Sequence, residues 1–536
     1  MRRSAFSDAG LVVLFYFGYA ALHAAAATTL LHEFAGGAND GRTPIAPLTV
    51  SGSTLFGTTH SGGDPCPNSS AGCGTVFSMN TDGSGFALLH EFVGGGNDGR
   101  NPAAGLTQSG STLYGTTTNG GDNDHGTIFA MSTDGSGFTL LHEFAGGAND
   151  GEIPQAGLIL SGSTLYGTTL FGGGEGTVFS INTDGSDFTL LHSFDPANDG
   201  RRLKANLTLS GSTLFGTTIL GGANDLGTIF SINTDGSGYT PLHEFAGGAN
   251  DGEGPLAGLI LSGSTLYGTT QGGGDHSRGT IFSINTNGSG FTLLHEFAGG
   301  ADDGRGPEAE LTLSGSTLYG TTKKGGDLAC DTTEPEGCGT IFSINTDGSG
   351  FTLLHEFAGG ADDGAVPWAR LTLSGSTLYG TTERGGEDGL GTVFSIEIAE
   401  PGLPGDYNNN GTVDAADYIL WRKNGGGPDD YETWHAHFGQ SAGVIQGDFN
   451  NDGSVDAADY VVWRKNDGSE AGYNTWRTNF GRTAGSGSAG ISLSQAAVPE
   501  PGSAILLLLL MMMSLLVCQR RLFNLSAGSA AIAARV

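Results

Sequence analysis

Asp406, Asn408, Asn410, Thr412, Asp414 and Asp417 stand at positions 1, 3, 5, 7, 9 and 12 of a twelve-residue stretch whose sixth residue is Gly411. Aspartate and asparagine supply hard oxygens at five of those positions, the Thr412 carbonyl supplies another, and glycine permits the sharp turn that lets them converge. That is the donor set Ca²⁺ requires. The pattern returns 42 residues later as Asp448, Asn450, Asp452, Ser454, Asp456 and Asp459, with Gly453 in sixth place. The segment therefore reads as two calcium loops with Ca²⁺ as cofactor. The competing reading is a pair of solvated Asn/Asp turns holding no metal.

Three other residue types recur in patterns that could do chemistry. Cys66 and Cys73 lie close together, as do Cys330 and Cys338, and each pair brackets an insertion. A local disulfide in an oxidising compartment is the natural reading, since tetrahedral zinc needs four ligands and the two pairs are far apart. Cys518 is left unpaired. Seven histidines sit in the motif Leu-His-Glu/Ser-Phe, at His32, His90, His142, His192, His243, His295 and His355, and seven aspartates follow them, at Asp40, Asp98, Asp150, Asp199, Asp251, Asp303 and Asp363. The aspartates could gather Ca²⁺ or hydrogen-bond sugar hydroxyls, or could close tight turns through their own backbone. One histidine per repeat inside a strand favours a packing or hydrogen-bonding role over metal ligation. No His-Glu-x-x-His, no phosphate-binding glycine loop and no nucleophile with a nearby base stands out. A carboxylate pair for glycoside cleavage stays open, because only spatial separation identifies one.

The elements that must position these residues are repetitive. The seven histidines are separated by 58, 52, 50, 51, 52 and 60 residues, and Ser-Gly-Ser-Thr-Leu and Gly-Thr-Val/Ile-Phe keep the same register seven times each. Within a unit, four runs of strand-forming residues alternate with turn residues: Gly105 to Gln108 (a), Thr112 to Thr117 (b), Gly126 to Ser132 (c) and Phe138 to Phe144 (d). Four antiparallel strands in about 50 residues, repeated in series, indicate propeller blades. The series opens on a d strand, Leu30 to Phe34, and closes on a c strand, Gly391 to Ile396. An open solenoid leaves that surplus and deficit unexplained, whereas a ring closed by pairing the first strand into the last blade uses both and removes exposed edges. The a–b and c–d turns are uniform, while the b–c loops differ from unit to unit, so binding specificity is expected on the b–c face.

Composition sets further bounds. Glycine makes up 96 of 536 residues and acids outnumber bases 55 to 22, a net charge of −33. Nucleic acid is not expected as a partner, because a polyanion is repelled in the absence of a basic patch and none is visible in the sequence. Met1-Arg2-Arg3, the apolar run Gly10 to Leu22 and the alanines up to Ala27 have the plan of a secretory signal, with a membrane-anchoring helix as the alternative. At the other end Pro499, Glu500 and Pro501 precede fifteen apolar residues, Ala504 to Cys518, and then Arg520-Arg521.

Several of these motifs resemble known families. The core Leu-Tyr-Gly-Thr-Thr, Gly-Thr-Ile-Phe-Ser-Ile, Asp-Gly-Ser and Leu-Leu-His-Glu-Phe is similar to the GloVer tandem repeat over roughly residues 30 to 398, which implies an exported repeat protein without supplying a reaction. The duplicated calcium loop, with Tyr418 and Trp421 and then Tyr460 and Trp463 on following helical patterns, resembles a type I dockerin, a tandem EF-hand module that docks onto cohesin. The C-terminal tripeptide, apolar run and basic stop resemble the PEP-CTERM sorting signal, which implies an exosortase-type processing protease as partner and membrane association through that segment before processing.

The expected fold is thus all-β: a seven-bladed β-propeller of four-stranded blades closed by a 3+1 join, followed by a small α-helical dockerin-like calcium module and a C-terminal apolar helix. Its expected segments are a signal peptide (1–27), the propeller (28–398), a linker (399–404), the calcium module (405–482), a Gly/Ser/Ala linker (483–497), the sorting and transmembrane segment (498–521) and a tail (522–536). The expected role is an exported, surface-anchored, non-enzymatic binding, structural or adhesion module, with extracellular polysaccharide or a cohesin-like protein as partner. The alternative is a polysaccharide-degrading enzyme or subunit with its site on the variable-loop face.

Overall fold

The computed structural model describes residues 28–66, 69–195, 199–300, 303–326, 330 and 337–398, together with Tyr418, Arg422, Trp463, Arg464 and Arg477, each of which is helical. The expected signal segment, both calcium loops, the sorting signal and Cys518 lie outside these residues. The chain divides into two compact units, Met1–Pro401 and Gly402–Val536.

The first unit is a ring of seven four-stranded antiparallel sheets. In the second blade strands a to d are Thr107–Ser109, Thr112–Thr117, Thr127–Ser132 and Thr139–Glu143, hydrogen-bonded in that order. Strand a begins two residues later than its composition suggests, because the residues before it line the centre of the ring and have no strand to pair with. The last blade takes its fourth strand from the start of the chain: Thr28–Glu33 pairs antiparallel with Thr392–Glu397, Thr28 opposite Ile396 and Glu33 opposite Thr392. This is the 3+1 join.

Strands b and c are buried on both faces and make the core. Leu113, Ile128, Phe129 and Met131 are fully or almost fully buried, and the clusters they form draw on adjacent blades, as where Phe56, Val76 and Phe92 of one blade meet Leu106, Leu113 and Phe129 of the next. Each blade thus buries its faces against its neighbours. The glycine inside strand b makes this possible: a Cβ on Gly115 would lie 2.5 Å from the Phe129 ring, so only glycine leaves room for that phenylalanine.

Seven additional two-stranded pairings, which composition does not announce, tie each d–a connection to the b–c loop of the same blade. Gly99–Arg100 pairs with Asn119–Gly120 in this way, and its counterparts do so in the other blades. Both sets of loops therefore share one face. The enlarged loops there carry two disulfides, Cys66–Cys73 and Cys330–Cys338, with Cα separations of 5.9 and 5.7 Å.

Candidate functional site

The recurrent histidines and aspartates form a pair in every blade. Each histidine Nε2 lies 3.0–3.2 Å from a carboxylate oxygen of the aspartate seven or eight residues on. In the second blade Asp150 accepts from His142, from the Ala145 amide at 2.8 Å and from the Gly151 amide at 2.8 Å. Burial pushes the Asp150 carboxyl up, but the His142 hydrogen bond, the two amides and the histidine's charge outweigh it, and the group titrates below the ordinary aspartate value. The imidazole of His142 lies flat on Phe188 of the next blade, ring centroids 3.9 Å apart, and five other blades repeat the stack with Phe86, Phe138, Tyr239, Phe291 and Phe351. Each aspartate is thus held by its own loop, and each histidine joins two blades. The seven carboxylates do not converge on a shared ion; their role is to fix the ring.

A different set of residues does converge. Immediately before strand a each repeat carries x-Pro-x-Ala-x-Leu, with Leu203 replacing proline once. The residue before that proline has a left-handed backbone in all seven copies, φ +57 to +62° at Thr43, Asn101, Ile153, Arg202, Gly254, Gly306 and Val366. For Ile153 and Val366, which are β-branched, this conformation is disfavoured and must be imposed. Two backbone bonds impose it: the Val366 amide donates to the Cys338 carbonyl of the preceding blade, and the Val366 carbonyl accepts from Glu383 at the end of its own strand b. A strand-b threonine then fixes the alanine of the following blade, as Thr116 Oγ1 donates to the Ala156 carbonyl at 3.0 Å. With proline, alanine and leucine buried, the two intervening positions point into the mouth of the central channel.

Those two positions are where the repeats differ. The first is Ile45, Ala103, Gln155, Lys204, Leu256, Glu308 and Trp368 around the ring; the second is Pro47, Gly105, Gly157, Asn206, Gly258, Glu310 and Arg370. All of them but Gly157 line a cavity of about 330 Å³ that opens on the variable-loop face, with His60 and Glu383 completing its wall. Polar groups crowd one side. The ammonium groups of Lys323 and Lys204 lie 3.8 and 4.6 Å from the centre of the Trp368 ring. Lys323 also reaches Glu308 at 3.6 Å, Arg370 pairs with Glu310 at 3.1 Å, and Asn206 donates to the other Glu310 oxygen at 3.1 Å. The Trp368 indole N–H donates to Glu383.

Burial pulls the Lys204 ammonium below the ordinary lysine value; Glu308 acts against this and the like charge of Lys323 adds to it. Burial likewise holds His60 below the usual imidazole value, against the opposing pull of Glu383. The cavity thus brings together an imidazole, two lysines on one indole, a guanidinium and three carboxyl groups. Such a surface can accept from and donate to hydroxyls while engaging a charged group.

No single residue of this cluster stands out in the linear sequence. The signal lies in the repeats compared with one another: between a proline, an alanine and a leucine that are nearly constant, these two positions range from glycine to tryptophan. The calcium loops, Asp406 to Asp417 and Asp448 to Asp459, and the sorting signal fall outside the described residues, so the cluster and the disulfides are what the structure brings together.

Residues 19–175 and 133–334 match the family model described as the Gloeobacter/Verrucomicrobia repeat, and residues 404–466 match the type I dockerin domain. Among solved structures, a nidogen/laminin complex matches at 15% identity over 52% of this chain and 89% of that one, with a TM-score of 0.33. An oligogalacturonate lyase in complex with manganese matches at 12% identity over 67% of this chain and 90% of that one, with a TM-score of 0.43. No curated protein matches the chain.

Proposed function

The chain belongs to the Gloeobacter/Verrucomicrobia repeat family, and from that premise we propose that it is an exported, surface-held, non-enzymatic binding module whose propeller engages extracellular polysaccharide at the mouth of its central channel. One observation carries this reading: seven nearly identical blades vary mainly at channel-facing positions and in the b–c loops, and one arc of the channel mouth concentrates an indole, cations and carboxylates. Variation confined to one concave face of a rigid frame is what ligand recognition needs and what folding does not.

The dockerin match supports a calcium-dependent second module. Asp406, Asn408, Asn410, Thr412, Asp414 and Asp417, and the equivalent set from Asp448 to Asp459, fit Ca²⁺ by donor chemistry, all hard oxygens about a glycine turn. Bound there, the ion cross-links each loop electrostatically; the chain's own part is to supply carboxylate and amide oxygens in the right order. A cohesin-like protein is the partner this module suits, while Pro499, Glu500 and Pro501 suit processing by an exosortase-type protease at the membrane.

Glu308, Glu310 and Glu383 favour a second reading, glycoside cleavage, because three carboxylates line one cavity. Incubating the purified chain with a panel of polysaccharides separates the two: retention without new reducing ends supports binding, whereas reducing ends that accumulate and vanish in Glu308→Gln or Glu383→Gln establish an enzyme. Calcium titration by calorimetry should reveal two sites, one lost in Asp406→Ala and the other in Asp448→Ala; silence removes the calcium assignment.

A further inference from the structure

Beside the channel mouth, and sharing Glu308 with it, lies a second cavity of about 190 Å³ between the fifth and sixth blades. Among the described residues, Arg278, Arg305, Lys323 and Lys324 line it together with the carboxylate of Glu308. Together with Lys204 and Arg370 of the first cavity, six of the chain's 22 lysines and arginines border two adjoining hollows, in a protein whose net charge is −33. These residues come from four separate repeats and form no run in the sequence, so the folded ring creates a basic patch that the linear chain lacks.

From this arrangement the geometry points to an acidic polysaccharide, one carrying a carboxylate on its sugar units, as the ligand, laid from the Trp368 wall of the channel mouth out along the Lys323, Lys324, Arg305 and Arg278 rim. The inference deepens the polysaccharide-binding reading and rests on it. Three physical points carry it. First, Lys204 and Lys323 hold two like charges against one indole, and Glu308 is within ion-pair distance of Lys323, while Lys204 makes no such pair among the described residues. An incoming carboxylate relieves that repulsion. Second, the ring does not need these charges to fold, because other repeats place Ile45, Ala103 or Leu256 where Lys204 stands, on the same backbone. Third, the cations are interleaved with Glu308, Glu310 and Glu383, acceptors suited to sugar hydroxyls, whereas a nucleic acid strand would bring closely spaced phosphates against them and against the strongly negative remainder of the molecule.

The test is binding of four probes to the purified full chain by calorimetry at two salt concentrations: an alginate hexasaccharide, the same hexasaccharide with its carboxyls reduced to alcohols, a neutral β-glucan hexasaccharide and a single-stranded DNA hexamer. The acidic hexasaccharide should bind at least tenfold tighter than the other three, and Lys204→Met and Lys323→Met should each weaken it by about tenfold. Glu308→Gln, which frees Lys323 from its internal partner, should tighten it several-fold, a gain that misfolding cannot produce. Equal affinity for the acidic and reduced sugars overturns the acidic-ligand inference and leaves polysaccharide binding standing. Binding of the DNA hexamer as tight as the alginate overturns it in favour of unspecific charge attraction, and binding of no sugar at all overturns both readings.

Discussion

Replacing Asp150 by asparagine tests the claim that the His–Asp pairs hold the ring. The wild-type carboxylate has one oxygen serving His142 and the Gly151 amide and the other serving the Ala145 amide. Asparagine keeps one oxygen and puts an NH₂ where the other was, so at least one bond to a charged acceptor is lost and two donors face each other. A hydrogen bond to a charged group contributes about 1.5–3 kcal/mol, and an amide left facing a donor adds to the loss, for a total of about 2–4 kcal/mol. At about 2 °C per kcal/mol for a ring of this size, the melting temperature should fall by about 4–8 °C at neutral pH. The pH dependence supplies a second readout. Asp150 titrates below its unfolded value, so its contribution is complete above the unfolded pKa of about 3.9 and disappears as pH falls through the lower, folded value. The gap between wild type and Asp150→Asn should be open at neutral pH and close below about pH 4. A shift under 1 °C, or a gap that persists unchanged into acid, refutes the reasoning.

Other substitutions probe neighbouring parts of the same design. Tyr239→Phe should raise stability by about 1 kcal/mol in urea unfolding, since the Tyr239 hydroxyl is buried without a hydrogen-bond partner among the described residues, the Gly200 amide lying near it but outside bonding geometry, and five other blades use phenylalanine there. Thr28→Phe should add about 0.5–1.5 kcal/mol, because Thr28 occupies the place of that aromatic beside His355, offering only a 3.5 Å hydroxyl contact. Deleting Thr28–Glu33 should lower the melting temperature of the whole ring, and an unchanged melting curve would contradict closure by that strand. Lys204→Ala should change stability by no more than about 0.5 kcal/mol, as Ala103 stands in the equivalent place of another blade.

Much of the ring is legible in the sequence because its information is periodic. Seven copies of Leu-His-Glu/Ser-Phe fix the blade count, and a chain that starts on strand d and stops on strand c implies the closing strand that Thr28–Glu33 supplies. What periodicity does not encode is contact across a turn or between repeats. His142 and Asp150 are separated by a loop, so neither helical nor strand spacing links them, and the stack of His142 on Phe188 joins residues 46 apart. The channel mouth is harder still to see: Lys204, Glu308, Lys323 and Trp368 belong to three repeats and meet only because the ring turns their segments toward one axis. The absence of any basic run is accurate for the linear chain and misleading for the folded one.

The same symmetry that hides the site also identifies it. A blade position that contributes to folding must be filled alike seven times, because the environment recurs seven times; Phe129, Thr116 and Gly115 have near-identical counterparts in every blade for that reason. The channel-facing positions escape the constraint, since the left-handed residue, the buried proline and alanine, and the threonine bond fix the backbone whatever side chain it carries. Freedom from the folding constraint explains why Gly105 and Arg370 are interchangeable in place, but not why Lys204, Glu308, Trp368 and Arg370 fall in the fourth, sixth and seventh blades while the first two keep Ile45, Pro47, Ala103 and Gly105. Scattered neutral variation would distribute charge around the mouth. A cluster drawn from neighbouring blades, continuous with a cationic rim, is the arrangement the proposed elongated ligand would need, on the side where the ring is least symmetric.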